Sequence, residues 1–396
     1  MLTWISLIVS LLLLLVIAQR NLELGMFTAA VFLGLTTMSW GGFLGEVGAT
    51  FSDPSILALA GLVGIIAMIG GILEESGEME NLVRNMRIGK RPFLGTSPAL
   101  LGMLPMPGGA LLSAPMVESS GDDLAGNTKA VINVWFRHIL FLIYPLAPAL
   151  IASAKIAGLN VYDTVLYLLP FFLLSVLLGY FFLLRETETE MSYSEAFSLR
   201  GLLAPLGVIL MAPLVDIVLK SAFDFPVTEY PTLIAVSLSF AAAIGLSGYG
   251  ISRLREVALK MKPWKYVLIV LGMFTFLNVF QSSSAPEAIG NLDFPITVLV
   301  VGVSFLLGLS TGRIQAPASI VFPIFLARQG GEAVPLVAFA LVYFSTFVGY
   351  AISPIHPCVS VSIEYFNSSM GDYVKKIATP ALISMVVVSA LSLFLL

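Results

Sequence analysis

FLGTSPALLGMLPMPGGALLSAPMVES, residues 93–119, and PITVLVVGVSFLLGLSTGRIQAPASIVFPIFLAR, residues 295–328, are the two stretches whose reading decides the fold. Each is apolar, and each is interrupted near its middle by groups that a helix resists. In the first these are Pro105, Met106, Pro107, Gly108 and Gly109; in the second they are Ser310, Thr311, Gly312 and Arg313. Proline removes a backbone donor and clashes with the preceding turn, while glycine costs backbone entropy. Each stretch therefore reads as a helical hairpin, two short helices joined by an irregular elbow. Non-helical backbone at membrane depth is tolerated only where protein or a watery cavity covers it. The elbows are the first place to look for a binding site.

Composition makes the surroundings lipid. Of 396 residues, 58% are hydrophobic and 11% charged, whereas soluble domains carry roughly 25% charged residues. A single apolar nucleus stops growing at about 250–300 residues, so the excess faces a bilayer. A hydrocarbon core of about 30 Å asks for about 20 apolar residues of helix. Ten stretches meet that test, at 2–18, 24–44, 55–73, 131–153, 163–184, 201–220, 231–249, 264–281, 334–353 and 376–396. The first lacks a basic start and a small-residue cleavage site, so it reads as a retained span and not a secretion signal. Cys358 is the one cysteine, which leaves no intrachain disulfide and no cysteine cluster for a metal. The net charge of −4 is spread over both signs with no basic tract suited to nucleic acid.

Cytoplasmic loops are enriched in Lys and Arg, which tests whether the hairpins turn back. With both re-entrant, Lys155, Lys220 and Arg328 fall on one side, Arg137 and Arg313 stay within the membrane, and every other Lys and Arg falls on the opposite side. If both hairpins cross once instead, the bias vanishes. Crossing by the second alone leaves it almost intact, so the rule speaks for the first hairpin and does not decide the second. The loops at 74–92, 185–200 and 250–263 are then cytoplasmic, and both termini lie outside.

An internal repeat fixes the architecture. Pro145 and Pro148 recur as Pro354 and Pro357, and Asp163 as Asp372, each at an offset of 209; Pro115 and Pro323 differ by 208. Element order repeats as well: three spans, a hairpin, a span ending in Pro-x-x-Pro, and a final span. Five crossings per copy is an odd number, so the copies are inverted, an arrangement found in secondary transporters. The expected fold is an all-α membrane protein with a first repeat at 1–184, a cytoplasmic linker at 185–200 and a second repeat at 201–396.

Pro-Met-Pro-Gly-Gly at 105–109, Trp135-Phe136-Arg137-His138 and Ser353-Pro354-Ile355-His356-Pro357 resemble an uncharacterised prokaryotic family related to gluconate permeases, within the ion transporter superfamily. The resemblance implies a homodimer in the inner membrane, with a scaffold domain and a mobile transport domain that carries both hairpins in an elevator motion. The Ser-Asn-Thr hairpin signatures of the sodium-coupled dicarboxylate carriers are missing, a departure from that branch that counts against both dicarboxylates and its sodium-site chemistry.

An ionisable group inside a membrane costs several kcal/mol on insertion scales and is a functional candidate by default. Arg313 stands at the second elbow beside Ser310, Thr311 and Gln315, where a guanidinium fork suits a carboxylate or phosphate; snorkelling to the interface is the bland alternative. Arg137 and Asn133 share a helical face that Tyr144 extends, and Thr346 is the repeat equivalent of Arg137. His138 and His356 are the only histidines, and His356 between two prolines is a candidate proton carrier or a structural partner for freed backbone. The candidate substrate set is Pro107, Gly108, Gly109, Ser113, Asn133, Arg137, Ser310, Thr311, Gly312, Arg313, Gln315, Thr346, Ser353 and His356. Sodium has candidate carbonyl and hydroxyl ligands near Gly108, Gly109, Thr311 and Gly312.

These features point to a carrier of a small anion, most simply an organic carboxylate, coupled to H+ or Na+ and needing no cofactor. A Na+/H+ exchanger of the same fold is the alternative, weakened by the lack of a mid-membrane carboxylate. An intramembrane enzyme finds no nucleophile or paired carboxylate beside either histidine, and no phosphate-binding loop supports ATP-driven pumping.

Overall fold

The computed structural model describes residues 2–103, 109–191, 193, 196–290, 294–331 and 333–396. Among them every regular element is helical. In the first half these are α1 (Leu2–Ala18), α2 (Leu22–Thr37), α3 (Trp40–Ser52), α4 (Pro54–Glu75), α5 (Glu78–Arg84), α6 (Lys90–Gly102), α7 (Ala110–Ser120), α8 (Gly126–Ile139), α9 (Pro148–Ile156) and α10 (Val161–Gly179). The second half contributes α11 (Leu199–Ala222), α12 (Tyr230–Ser247), α13 (Ile251–Met261), α14 (Pro263–Ser282), α15 (Ala285–Gly290), α16 (Ser304–Thr311), α17 (Gln315–Gln329), α18 (Leu336–Ile352), α19 (Pro357–Tyr365) and α20 (Met370–Leu395). One turn of 3-10 helix follows α8, and wider π turns extend α10 to Leu184 and precede α16 from Val298.

Among the described residues, seven helical segments are long and apolar enough to cross a membrane: Pro54–Glu75, Val161–Leu184, Leu199–Ala222, Tyr230–Ser247, Pro263–Ser282, Leu336–Tyr365 and Met370–Leu395. The other three of the ten expected spans hold shorter helices. The helices covering 2–18 and 24–44 are only 17 and 16 residues long. The second of them stops at Thr37 because Ser39 caps a new helix, its hydroxyl accepting the Gly42 N–H at 3.2 Å. The stretch 131–153 breaks between α8 and α9, where Pro145 and Pro148 cannot continue a helix.

Packing sorts the helices into two groups, each drawing on both halves of the sequence. Within the first, α1 packs on α2, α14 packs on α2, α3 and α4, and α12 packs on α4 and α11. Within the second, α6 packs on α7 and α8, α8 on α19 and α20, and α18 on α16, α10 and α20. Each group has a central segment: the apolar windows of α4 and of the α18–α19 segment are 78% buried, whereas those of α10, α11, α12 and α20 are a third buried or less and present an apolar face outward. Hydrophobic side chains on a face without water need no burial. The sequence stretches 93–119 and 295–328 each form two short helices packed side by side, α6 with α7 and α16 with α17.

Candidate functional site

The breaks within the second packing group share one location. A cavity of about 280 Å³ is lined by Gly102, Arg137, His138, Phe141, Ala147, Pro148, Ala149, Tyr266, Gly312, Arg313, Ile314, Gln315, Tyr350, His356, Pro357 and Cys358. It thus collects the end of α6, the end of α8, the starts of α9, α17 and α19, and Tyr266 from α14 of the first group. A larger hollow of about 620 Å³ lies near α5 and α6, but its rim mixes Arg84, Arg87 and Lys90 with Glu80, Asp122, Glu188 and Glu190, a charged surface with no single sign.

Three helix starts face the cavity for a reason written into the chain. Pro148 and Pro357 occupy the first turn of α9 and α19, where a missing N–H costs nothing and the fixed φ favours helix entry. The N–H groups of Ala149, Gln315 and Cys358, one at each start, have no backbone acceptor among the described residues. Helix starts carry about half a positive charge and unsatisfied donors, which makes them anion sites.

Two guanidiniums add full charges. Arg137 sits in the last turn of α8 at 3% exposure, and its Nη1 donates to Ser113 Oγ on α7 at 3.3 Å. Backbone also meets backbone here: a Cβ on Gly102 would lie 1.8 Å from the Arg137 carbonyl oxygen, so α6 ends against α8 only because that residue is glycine. Arg313 is half-buried; its carbonyl accepts from the Thr311 hydroxyl at 3.2 Å, and its guanidinium has no hydrogen-bond or ion-pair partner among the described residues. Gly312 before it has φ +58° and presses against the Ile355–His356 backbone. The acids whose field reaches these arginines are engaged elsewhere, Glu23 with Lys265 at 3.9 Å and Glu74 with Lys260 at 3.2 Å.

The histidines form an aromatic cluster against this positive wall. Their ring centroids are 4.7 Å apart, and Tyr350 stacks on His356 at 3.9 Å and meets His138 edge-on at 5.1 Å. His138 Nδ1 lies 2.7 Å from the Val134 carbonyl; since a carbonyl only accepts, Nδ1 carries the proton and Nε2 is left as an acceptor. Neither ring nitrogen of His356 meets hydrogen-bond geometry with any described group, the adjacent Tyr350 backbone included. One ring nitrogen each of His138 and His356 and the Cys358 sulfur lie within 4.8 Å of one another, a donor set with the chemistry to hold a soft or borderline metal ion. The charges of Arg137 and Arg313 on the same cavity oppose a cation there.

Of the expected site residues, Arg137, Gly312, Arg313, Gln315 and His356 line the cavity. Pro107 and Gly108 lie outside the described residues, and Gly109 immediately precedes α7. Ser113 touches Arg137 from behind. Asn133 is a tie, donating to Ala110 O at 3.1 Å and to Ser362 Oγ at 2.9 Å, and so joining α8 to α7 and α19. Ser353 donates to Leu309 O at 2.6 Å, and the Thr311 hydroxyl bonds back to Leu307 O at 2.7 Å. Ser310 is exposed, and the Thr346 hydroxyl is buried without a partner away from the lining. Tyr266, Tyr350 and Cys358 were not among the expected residues. Only Tyr350 carried a signal, standing six positions before His356 on the span that breaks.

The chain belongs to the family described as protein of unknown function (DUF401), which matches residues 2–395. No curated protein matches it. Its fold is similar to that of the Alcanivorax borkumensis YdaH transporter, whose crystal structure is described as revealing an unusual topology. The TM-score is 0.60 at 14% identity, over 89% of this chain and 86% of that one. The protein is therefore a multi-pass membrane protein, helical throughout its described residues, with a fold similar to that of the transporter.

Proposed function

We propose that this DUF401 protein is a secondary active transporter that carries a small anion, most simply an organic carboxylate, by an elevator-type movement. The single observation that carries the reading is the convergence of Arg137, Arg313 and three helix starts on one cavity that no carboxylate lines among the described residues. A volume of about 280 Å³ equals roughly nine waters at about 30 Å³ each, the scale of a small solute.

Several features support the finer architecture. At about 1.5 Å per residue, the 13 residues of α6 and the 15 of α17 reach only about 20 and 22 Å, short of a bilayer core of about 30 Å, which fits re-entrant hairpins at 93–119 and 295–328 within inverted repeats 1–184 and 201–396. Tyr266 is the lone lining residue from the first packing group, so the cavity lies on the seam between a scaffold (α1–α5, α11–α14) and a transport body (α6–α10, α15–α20). Sliding of one body past the other would expose the site to alternate sides. We place the protein in a prokaryotic inner membrane as a homodimer, with both termini outside. His356, with its two unpartnered nitrogens, is the coupling residue for H+. The Na+/H+ exchanger reading lacks a cavity carboxylate among the described residues and is the weaker one.

The test is transport by purified protein in proteoliposomes, recorded as anion-dependent current or uptake across lactate, gluconate, succinate and sulfate, with pH and sodium gradients imposed separately. Arg313→Ala is expected to abolish the signal while the protein remains monodisperse. No response of the wild type to any of these anions, or full transport by Arg313→Ala, would overturn the proposal.

A further inference from the structure

The geometry points to a narrower substrate class: the cavity selects a dianion over a monoanion of the same shape. This rests on the anion reading above and deepens it by counting charge. Arg137 and Arg313 bring two full positive charges to one small cavity. Among the described residues neither has a carboxylate partner, and the acids that influence them, Glu23 and Glu74, are paired with Lys265 and Lys260. The remaining lining offers nothing that offsets them. Tyr266, Tyr350 and Cys358 contribute two phenols and a thiol, groups without a fixed negative charge, and the N–H groups of Ala149, Gln315 and Cys358 add further positive potential.

A bound monoanion leaves one guanidinium uncompensated, and Arg137 is nearly fully buried, where a charge without a partner is strongly unfavourable. A dianion satisfies both arginines at once, so its second charge adds affinity that a neutral replacement cannot supply. The donors are also of two kinds, planar forks and helix starts, which suits two carboxylates on one molecule as well as a single tetrahedral oxyanion. The missing Ser-Asn-Thr signatures of the sodium-coupled dicarboxylate carriers concern that branch's hairpin chemistry; the charge requirement set by Arg137 and Arg313 is separate from it.

The decisive experiment compares matched pairs by calorimetry and thermal shift on the purified full-length protein: succinate against succinamate, and sulfate against methanesulfonate. At least one dianion is expected to bind about tenfold or more tightly than its partner, a ratio that corresponds to 1.4 kcal/mol. Arg313→Gln should collapse that ratio towards parity. Arg313→Lys, which keeps the charge and loses the fork, should retain the preference at lower affinity. It also separates a charge effect from loss of folding, which size-exclusion profiles check directly. Monoanions that bind the wild type as well as or better than their dianionic partners overturn this inference and leave the anion reading standing. If neither series stabilises the wild type, the anion reading itself fails, and this inference with it.

Discussion

Gly312 and the His356 backbone touch so closely that no methyl group fits between them: a Cβ at Gly312 would lie 2.8 Å from the His356 nitrogen. The glycine also has φ +58°, a conformation that costs a residue with a side chain about 1–2 kcal/mol. This single contact seats the second elbow on the break between α18 and α19 and so places Arg313 beside His356. Gly312→Ala is expected to lower the thermal midpoint by several degrees and to reduce anion uptake more than tenfold. A variant with wild-type midpoint and uptake would remove the contact from the construction of the site.

The one cysteine provides a reporter of the cavity's sign. Cys358 lines the cavity together with Arg137 and Arg313. A positive cleft of low dielectric concentrates anions, raising encounter rates by about tenfold or more. A negatively charged methanethiosulfonate reagent should therefore modify Cys358 faster than a positively charged one of similar size, by about tenfold at low salt, with the ratio shrinking as ionic strength rises. Modification followed by mass spectrometry suffices, and faster reaction with the cationic reagent would contradict the charge assignment.

The fold was legible in the sequence wherever the signal was local. Hydrophobic runs of bilayer length marked the seven long segments, and the proline pairs Pro145/Pro148 and Pro354/Pro357 marked the breaks that start α9 and α19. The stop at Thr37 was less visible, because Ser39 acts as a cap through a geometry that composition does not reveal. Arg137, Arg313 and His356 are legible as candidates because ionisable groups are conspicuous in an apolar chain, and all three line one cavity. Tyr266 was not, since it reaches the cavity from α14 in the other packing group and nothing in its neighbourhood is unusual. Cys358 was set aside for being the only cysteine, yet its setting is made by His138, more than two hundred positions away. Asn133 and Ser353 are candidate ligands in the sequence and tie helices together in the structure, because a polar side chain in an apolar span has the same sequence signature in either role.

At the base of α6 an ion cluster gives a pH prediction. Lys90 is nearly buried and lies 2.6 Å from Asp122 and 2.9 Å from Asp123. The hydrogen bond from Lys90 holds the Asp122 carboxyl below its ordinary range. At Asp123 burial pushes the carboxyl up, and the bonds from Lys90 and from the Glu188 N–H outweigh it. Carboxyl groups depressed in the folded state stabilise above their ordinary pKa of about 4, and that contribution is lost as pH falls through the lower folded value. Asp123→Asn is expected to reduce the thermal midpoint at pH 7, with the gap to wild type narrowing steadily below about pH 4. A gap that stays constant from pH 7 to pH 3 would mean that the cluster contributes no linked stability.

On the seam between the two packing groups, polar contacts tie one body to the other. Asp216, fully buried on α11, accepts from Tyr162 on α10 at 2.7 Å, Lys220 at 2.9 Å and Thr232 at 2.8 Å. Glu229 at the start of α12 pairs with Lys155 on α9 at 2.8 Å and accepts from Ser55 at 2.5 Å. The proposed sliding of one body past the other would break the Tyr162–Asp216 and Lys155–Glu229 contacts, whereas the bonds of Asp216 to Lys220 and Thr232 and of Glu229 to Ser55 stay within the first group. Tyr162→Phe and Lys155→Met remove the crossing contacts and leave each acid with a remaining partner, so they are expected to raise the uptake rate by a few-fold with little loss of stability. Asp216→Ala acts differently, because it removes the ionic partner of the Lys220 ammonium and leaves it the Thr232 hydroxyl at 2.9 Å. The penalty should fall at the low end of the about 3–5 kcal/mol seen for broken buried pairs, since the Lys220 side chain keeps 23% of its exposure. Uptake rates and thermal midpoints of the three variants, measured side by side, separate the roles; unchanged rates in both Tyr162→Phe and Lys155→Met would show that the bodies do not part along this seam during transport.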